Sequence, residues 1–302
     1  MGSLYERGTV RTLQSVLLRM LCGKRREEEA LMQTLLSVME QGDPLAYIER
    51  LNIRTDAVIV NQCGREGEYT RQTDSSGREV TVRVAERDEK GLSRSRNLAI
   101  SMASDDICIL CDNDIRYEDD ASEVIVQAFL RHPDAGIICF FIERPERKSP
   151  VKDREGEMSK KDMMRIFSPE IAFRTSKLGD LRFSEDFGAG AKYSMGEENI
   201  FLFEAKRRGI ECIYVPEKIA NTLPNESSWF GGYDEKFFRD RGAGYEAMDR
   251  GLWHILCWQF LLRKRSLYRE TISAAAAWRA MKEGRAEYRR EALSGEEQGK
   301  RG

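Results

Sequence analysis

Four stretches of this chain are apolar almost without interruption, and each stops abruptly at polar or charged residues. They are "MQTLLSVM" at 32–39, "DAVIVNQC" at 56–63, "DICILCDND" at 106–114 and "AGIICFFIER" at 135–144. A strand with one wet face alternates apolar and polar residues, whereas a strand covered on both faces reads as a continuous apolar run. Helical patterns lie between them. "GDPLAYIERLNI" suits a short helix with Asp43 as N-cap and Pro44 at its first position. "GLSRSRNLAISMAS" at 91–104 and "ASEVIVQAFLRH" at 121–132 follow, the second opened by Asp120 and Glu123 as a capping box. "REVTVRVAE" at 78–86 alternates, as a more exposed strand should. The expected fold is therefore α/β, with a mostly parallel sheet flanked by helices. In such sheets ligands gather at the carboxyl ends of the strands.

The chain has 302 residues, 41% hydrophobic and 33% charged, enough for a sizeable core under a wet surface. Its 49 basic and 51 acidic residues nearly balance, which argues against a nucleic-acid partner. Seven cysteines lie mostly inside apolar runs, as reduced thiols do in the cytosol. Cys108 and Cys111 are three apart in a strand, so they face opposite sides and make a poor zinc or redox pair. The two histidines, His132 and His254, have no partner at ligand spacing, and His132 falls at a helix end as a capping residue. No apolar stretch is long enough to span a membrane and no secretory signal is visible, so a cytoplasmic protein is expected.

Residues 1–30 suggest a basic amphipathic helix, with Leu13, Val16, Leu17, Met20 and Leu21 on one face, followed by a charged linker. The main α/β domain is expected over 31–230, a helical extension over 231–284 and a charged tail over 285–302, helical and then frayed. Within the central part, 145–165 carries Pro145, Pro150, Gly156 and many charges and reads as a mobile loop.

The run "ILCDNDIRYEDD" poses a chemical problem, because Asp112 and Asp114 flank a single Asn113. Crowded carboxylates need a cation, donors or solvent. An EF-hand fails: Glu123 is the twelfth residue from Asp112, but Tyr117 replaces the required glycine and a strand enters the loop. An acidic turn capping the next helix needs only Asp120. A divalent ion holding a diphosphate accounts for both Asp112 and Asp114, with phosphate oxygens completing the shell. "GLSRSRN" places Arg94 and Arg96 one strand earlier as basic donors. "SMGEENIFLFEA" supplies Glu197 and Glu198 at a helix start, where they also suit the helix dipole.

In this order, "LLSVMEQ", "VIVNQC", "GLSRSRN", "LCDND" and "GEEN" resemble the motifs of family 2 glycosyltransferases, which have the GT-A fold. The resemblance covers 31 to about 230. It implies an inverting, metal-dependent transfer from a nucleoside-diphosphate sugar to a hydroxyl of a saccharide or lipid-linked acceptor, with surface polysaccharide assembly as the expected setting. On it, Asp114 is the direct ligand of Mn²⁺ or Mg²⁺ and Asp112 a second metal candidate or a contact to ribose or sugar. Arg96 and Asn97 match the arginine-asparagine pair near the nucleotide, and Glu198 takes the place of the catalytic base with Glu197 beside it. Ser37, Glu40, Asn61, Gln62, Arg94 and Asn113 fall in nucleotide-side segments, and Gly188 and Gly190 would let the backbone approach the donor sugar or acceptor. The chain departs from the pattern in three places. Asn61 and Gln62 replace an acidic pair, the base is Glu rather than Asp, and no histidine follows "IYVPEKIANT", leaving Asn221 or Asn225 in its place.

"GLWHILCWQFLLRKRSLYR" at 251–269 joins tryptophans and aliphatics to a basic cluster. It suits either an interfacial helix making peripheral membrane contact or a helix packed on the sheet. Two rival functions share these features: a nucleotidyltransferase, and a non-catalytic sugar-nucleotide scaffold or sensor.

Overall fold

A computed structural model describes residues 32–224 and 230–299. The expected N-terminal helix, its linker, Cys22 and Asn225 lie outside them. The first half runs β1 (Met32–Val38), α1 (Ala46–Arg50), β2 (Asp56–Asn61), β3 (Gly67–Ser75), β4 (Arg78–Glu86), α2 (Leu92–Met102), β5 (Ile107–Asp112), β6 (Ile115–Tyr117), α3 (Ala121–Arg131) and β7 (Ile137–Glu143). It continues with β8 (Gly156–Glu157), α4 (Lys160–Met163), β9 (Ile171–Arg174), α5 (Thr175–Leu178), α6 (Glu197–Arg207) and β10 (Cys212–Thr222). The C-terminal region is helical: α7 (Glu235–Met248), α8 (Trp253–Arg263), α9 (Arg265–Tyr268) and α10 (Ala274–Gly299).

The strands form one sheet in the order β3-β4-β2-β1-β5-β9-β7-β10-β6, with β8 beside β10. β4, β2, β1 and β5 pair in parallel. The short antiparallel β9 separates β5 from β7, which again runs with the parallel set and pairs with β10. The four apolar runs are β1, β2, β5 and β7, and all are buried on both faces. Alternate side chains divide between two cores. Leu35, Val58, Cys108, Leu110 and Cys139 pack with α2 and the helices from α6 onward. Leu36, Ile59, Ile109, Cys111 and Phe140 pack with α1 and α3. Cys108 and Cys111 thus sit on opposite faces, and burial pushes both thiols well above their ordinary pKa.

Several local expectations change. Helix α1 begins at Ala46, because Asp43 uses its carboxylate to accept from the Leu45 N–H in a turn (2.9 Å) instead of capping. Asp120 precedes α3 but makes no side-chain capping bond, so the capping box does not form. His132 is the C-cap of α3, its backbone N–H bonding the Ala128 carbonyl, and its ring pairs with Glu155. The supposed mobile loop is pinned: Val151, Met158 and Met163 are buried, and α4 carries a capping box between Ser159 and Asp162. Only the second strand of the β3–β4 hairpin was read from the sequence. The hairpin turns through Ser76 and Gly77, both at positive φ (54° and 81°), as a tight hairpin requires. Among the described residues, no helix is long and apolar enough to cross a membrane.

Candidate active site

The parallel strands deliver their carboxyl ends to one edge. In register, Ser37 of β1 lies beside Asp112 of β5, and Val38 lies beside Asn61 of β2. Asp112 is the last residue of β5, so the change from apolar to acidic marks the point where the chain leaves the sheet.

Helix α2 places Arg96 beneath this edge with only 2% of its surface exposed. One terminal nitrogen donates to the Asp112 carboxylate (2.9 Å) and the other to Glu197 (3.0 Å), while the guanidinium lies 5.6 Å from the Phe183 ring. Burial works against the charge of Arg96, but the two carboxylates more than offset it and hold the group protonated. Arg94 is two residues away, roughly 200° around the helix. It points outward to Glu185 (3.1 Å) and does not join the cluster.

Glu197 and Glu198 open α6 after Gly196, whose left-handed backbone (φ 91°) turns the chain into the helix. Glu197 is buried and accepts from Arg96, whereas Glu198 is half-buried and faces a cavity. Burial, then the neighbouring Glu197 carboxylate, pushes the Glu198 carboxyl up to about 8, against the opposing pull of the helix start and of Arg96. A carboxyl so placed holds a proton near neutral pH and can exchange it with a group in the cavity.

That cavity, of about 620 Å³, is lined by Glu198, Tyr233, Phe237, Arg241, Tyr245 and Lys264 among others. Its aromatic wall comes from the C-terminal helices and was not read from the sequence. A signal existed: Phe237, Arg241 and Tyr245 are four residues apart and share one face of α7. Arg144, at the carboxyl end of β7, was also missed. Its guanidinium lies 4.2 Å from the Phe167 ring, and it has no ion pair among the described residues.

Other expected site residues shape the backbone. The Asn61 amide accepts from the Glu40 N–H (2.8 Å) and donates to the Glu40 carbonyl (2.9 Å), tying the ends of β1 and β2 together. The Glu40 carboxylate accepts from the Gly42 N–H and the Tyr47 hydroxyl, which lower its pKa. Gln62 bonds both ways to the Gly91 backbone at 3.2 Å, and Asn97 clamps Phe183 in the same fashion. These three amides therefore use both polar atoms on main chain. Ser37 meets the Ser95 hydroxyl (2.8 Å), and Asn113 lies near the Tyr47 hydroxyl. Gly188 and Gly190 have φ of 105° and 79°. Their missing Cβ atoms admit Glu197 and Gly91 respectively, so these glycines approach protein rather than open site.

For a metal, Asp112, which also accepts from Arg96, and Asp114 are the candidate donors. Among the described residues no three His, Cys, Asp or Glu side chains converge on one point. Asn221 is bonded to Glu118 and Lys218. Two carboxylates fit Mg²⁺ or Mn²⁺, whose shell is commonly completed by phosphate oxygens and water.

Solved structures share this fold. The N-terminal part of the S. aureus protein TarS (residues 1–349) superposes with a TM-score of 0.55 at 12% identity, over 80% of this chain and 75% of that one. Its complex with UDP-GlcNAc superposes with a TM-score of 0.56 at 13% identity, over 80% of this chain and 76% of that one. The longer S. aureus TarS structure superposes with a TM-score of 0.52 at 12% identity, and there the match covers 80% of this chain but 46% of the other. No curated protein matches significantly. These structures have the GT-A fold seen here. The family model described as glycosyl transferase family 2 matches residues 25–184, more than half of the chain, and the chain belongs to that family.

Proposed function

We propose that this protein is an inverting, metal-dependent glycosyltransferase that moves a sugar from a nucleoside-diphosphate sugar to an acceptor hydroxyl, with Glu198 as the base. The observation that carries this reading is the ion-pair chain Asp112–Arg96–Glu197 around the buried Arg96, which runs from the acidic strand end to the neighbour of the carboxyl facing the cavity. The donor lies at the carboxyl ends of β1, β2 and β5, and the acceptor occupies the cavity. Glu198 accepts the hydroxyl proton as that oxygen bonds to the anomeric carbon and the bond to the diphosphate breaks on the opposite face. Asp112 and Asp114 would hold Mg²⁺ or Mn²⁺, which when bound offsets charge on the departing diphosphate. Arg96 keeps Asp112 and Glu197 aligned throughout.

A UDP-sugar is the first donor to test, because UDP-GlcNAc is bound by TarS, which shares the fold. A saccharide or lipid-linked acceptor, a cytoplasmic setting with peripheral membrane contact at 251–269, and a place in surface polysaccharide assembly complete the reading. Thermal shift against nucleoside diphosphates, with and without Mn²⁺, tests it. One nucleotide should stabilise the chain only with metal, and Asp114→Ala should abolish that response. Absence of any shift at millimolar nucleotide would reject the donor site.

A further inference from the structure

The segment between α5 and α6 carries Gly188 against Glu197 but belongs to neither helix nor sheet. It folds on itself through main-chain bonds, from the Gly188 N–H to the Tyr193 carbonyl and from the Tyr193 N–H to the Asp186 carbonyl (both 2.9 Å). Helix α2 holds one side of it. Ser93 donates to the Phe187 carbonyl (2.6 Å), and the Leu92 N–H donates to the Ala189 carbonyl (2.9 Å). Glu197 therefore has Arg96 on one side and the Gly188 backbone on another, so a displaced loop displaces the acidic pair.

The other side of the loop meets α7 and α10. Buried Asp240 of α7 accepts from the Ser194 N–H (3.0 Å) and hydroxyl (2.9 Å). Tyr288 of α10 sets its ring edge-on against Phe187 (5.5 Å) and Tyr193 (6.2 Å), which stack on each other (4.9 Å). Glu287 and Glu291 both meet Lys192, the first at 2.7 Å. Two carboxylates one turn apart repel on a helix, and the cation that relieves them comes from the loop rather than from α10. These contacts are not what seats α10. Gly242, Gly284 and the pairs of Glu246 with Arg285 and Arg289 hold that helix on α7. Lys192 and Glu291 are 41% and 49% exposed, so their pair adds little to global stability. What the contacts fix is the position of the loop.

We infer that α10 takes part in the transfer from a distance, with Tyr288, Glu287 and Glu291 as positioning residues that press the loop 186–194 onto α2 and so hold Glu197 and Glu198 in place. The inference rests on Glu198 being the base of the proposed transfer. The full chain and its variants are compared by UDP release from UDP-GlcNAc with Mn²⁺, water standing in for the acceptor, and by hydrogen exchange at the Gly188 and Tyr193 amides. Tyr288→Ala should lower kcat by up to about 10²-fold, leave the donor KM unchanged and speed exchange at both amides. Tyr288→Phe keeps the ring and should restore both readouts. Glu287→Gln combined with Glu291→Gln alters only partly exposed positions, so the chain folds, and it should show the same split in smaller measure. Faster exchange with wild-type kcat overturns the inference and leaves these contacts as packing. A lower kcat without faster exchange also overturns it, because the effect then does not pass through the loop. So does a raised donor KM with kcat preserved, which would place the loop in donor binding. Glu198→Gln in the same assay separates this inference from the reading beneath it. Turnover that needs Glu198 but is indifferent to Tyr288 rejects the inference alone. Turnover indifferent to Glu198 rejects the proposed base and the inference with it.

Discussion

Glu198 owes its proposed role to two neighbours of opposite effect. Burial desolvates its negative charge and the Glu197 carboxylate repels it, while Arg96 pulls the other way and loses. Its folded-state pKa, about 8, lies above the ordinary carboxyl value of 4.5. Ionised base therefore accumulates as pH rises through 8, and turnover at saturating donor should climb through that range before levelling. Linkage has the opposite sign for stability. Between pH 4.5 and about 8 the folded chain binds more protons at this group than the unfolded chain, so its contribution to stability falls as pH rises. Glu198→Gln should lower turnover by roughly 10²–10⁴-fold, remove the pH dependence and leave the nucleotide-induced thermal shift intact. Unchanged turnover would strip Glu198 of its role and favour a sensor.

The buried Arg96 makes a separate prediction at the same scale. Arg96→Met leaves Asp112 and Glu197 without their shared partner and should cost about 3–5 kcal/mol of stability, measured by denaturant unfolding. Much of this cluster was legible in the sequence, because Arg96, Asp112 and the Glu197–Glu198 pair are chemically conspicuous in their order. Asn61, Gln62 and Asn97 use both amide atoms on main chain. An amide in a motif looks the same whether it reads a ligand or clamps a strand end, and only tertiary structure distinguishes the two.

At the scale of elements, the runs of continuous apolar residues translated directly into β1, β2, β5 and β7. Burial on both faces leaves such a strand few alternatives. The polar edge strand β3 lacked that constraint, and the three-residue β6 is too short to show a period. Charge misled at 145–165, where a few apolar residues, Val151, Met158 and Met163, anchor a segment whose average composition looks solvated. Glycine carries the most specific local information. At Gly188 a Cβ would lie 3.2 Å from both the Glu197 carboxyl carbon and the Ser93 hydroxyl, on a backbone already at φ 105°. Gly188→Ala should cost about 1–3 kcal/mol through that backbone alone. It should also lower kcat by displacing Glu197. A drop in Tm with kcat preserved would show that the loop relaxes away from the acidic pair.

Over the whole molecule, the sheet supplies the edge proposed for the donor, and the C-terminal helices line the cavity at Glu198. The distinction drawn at 284/285 between a helical extension and a charged tail is not visible in the chain path, since α10 runs through it. Its close fit against α7 depends on Gly242 and Gly284, whose Cβ positions are occupied by the Met281 and Arg239 backbones. Charge then fixes the pairing. Glu246 of α7 is almost fully buried and accepts from Arg285 (2.8 Å) and Arg289 (2.6 Å) of α10. Those arginines look like solvated tail residues until the facing helix is known, so no sequence pattern announced them. Removing both should leave Glu246 buried with only the more distant Arg250, at 3.6 Å. The Arg285→Ala, Arg289→Ala chain should then lose about 3–5 kcal/mol. Adding Glu246→Gln should restore part of that loss, because the uncompensated charge disappears while the helix contact remains. Tm of the double and triple variants decides the point. A triple variant no more stable than the double would mean that packing at the two glycines, rather than the ion cluster, seats α10 against α7.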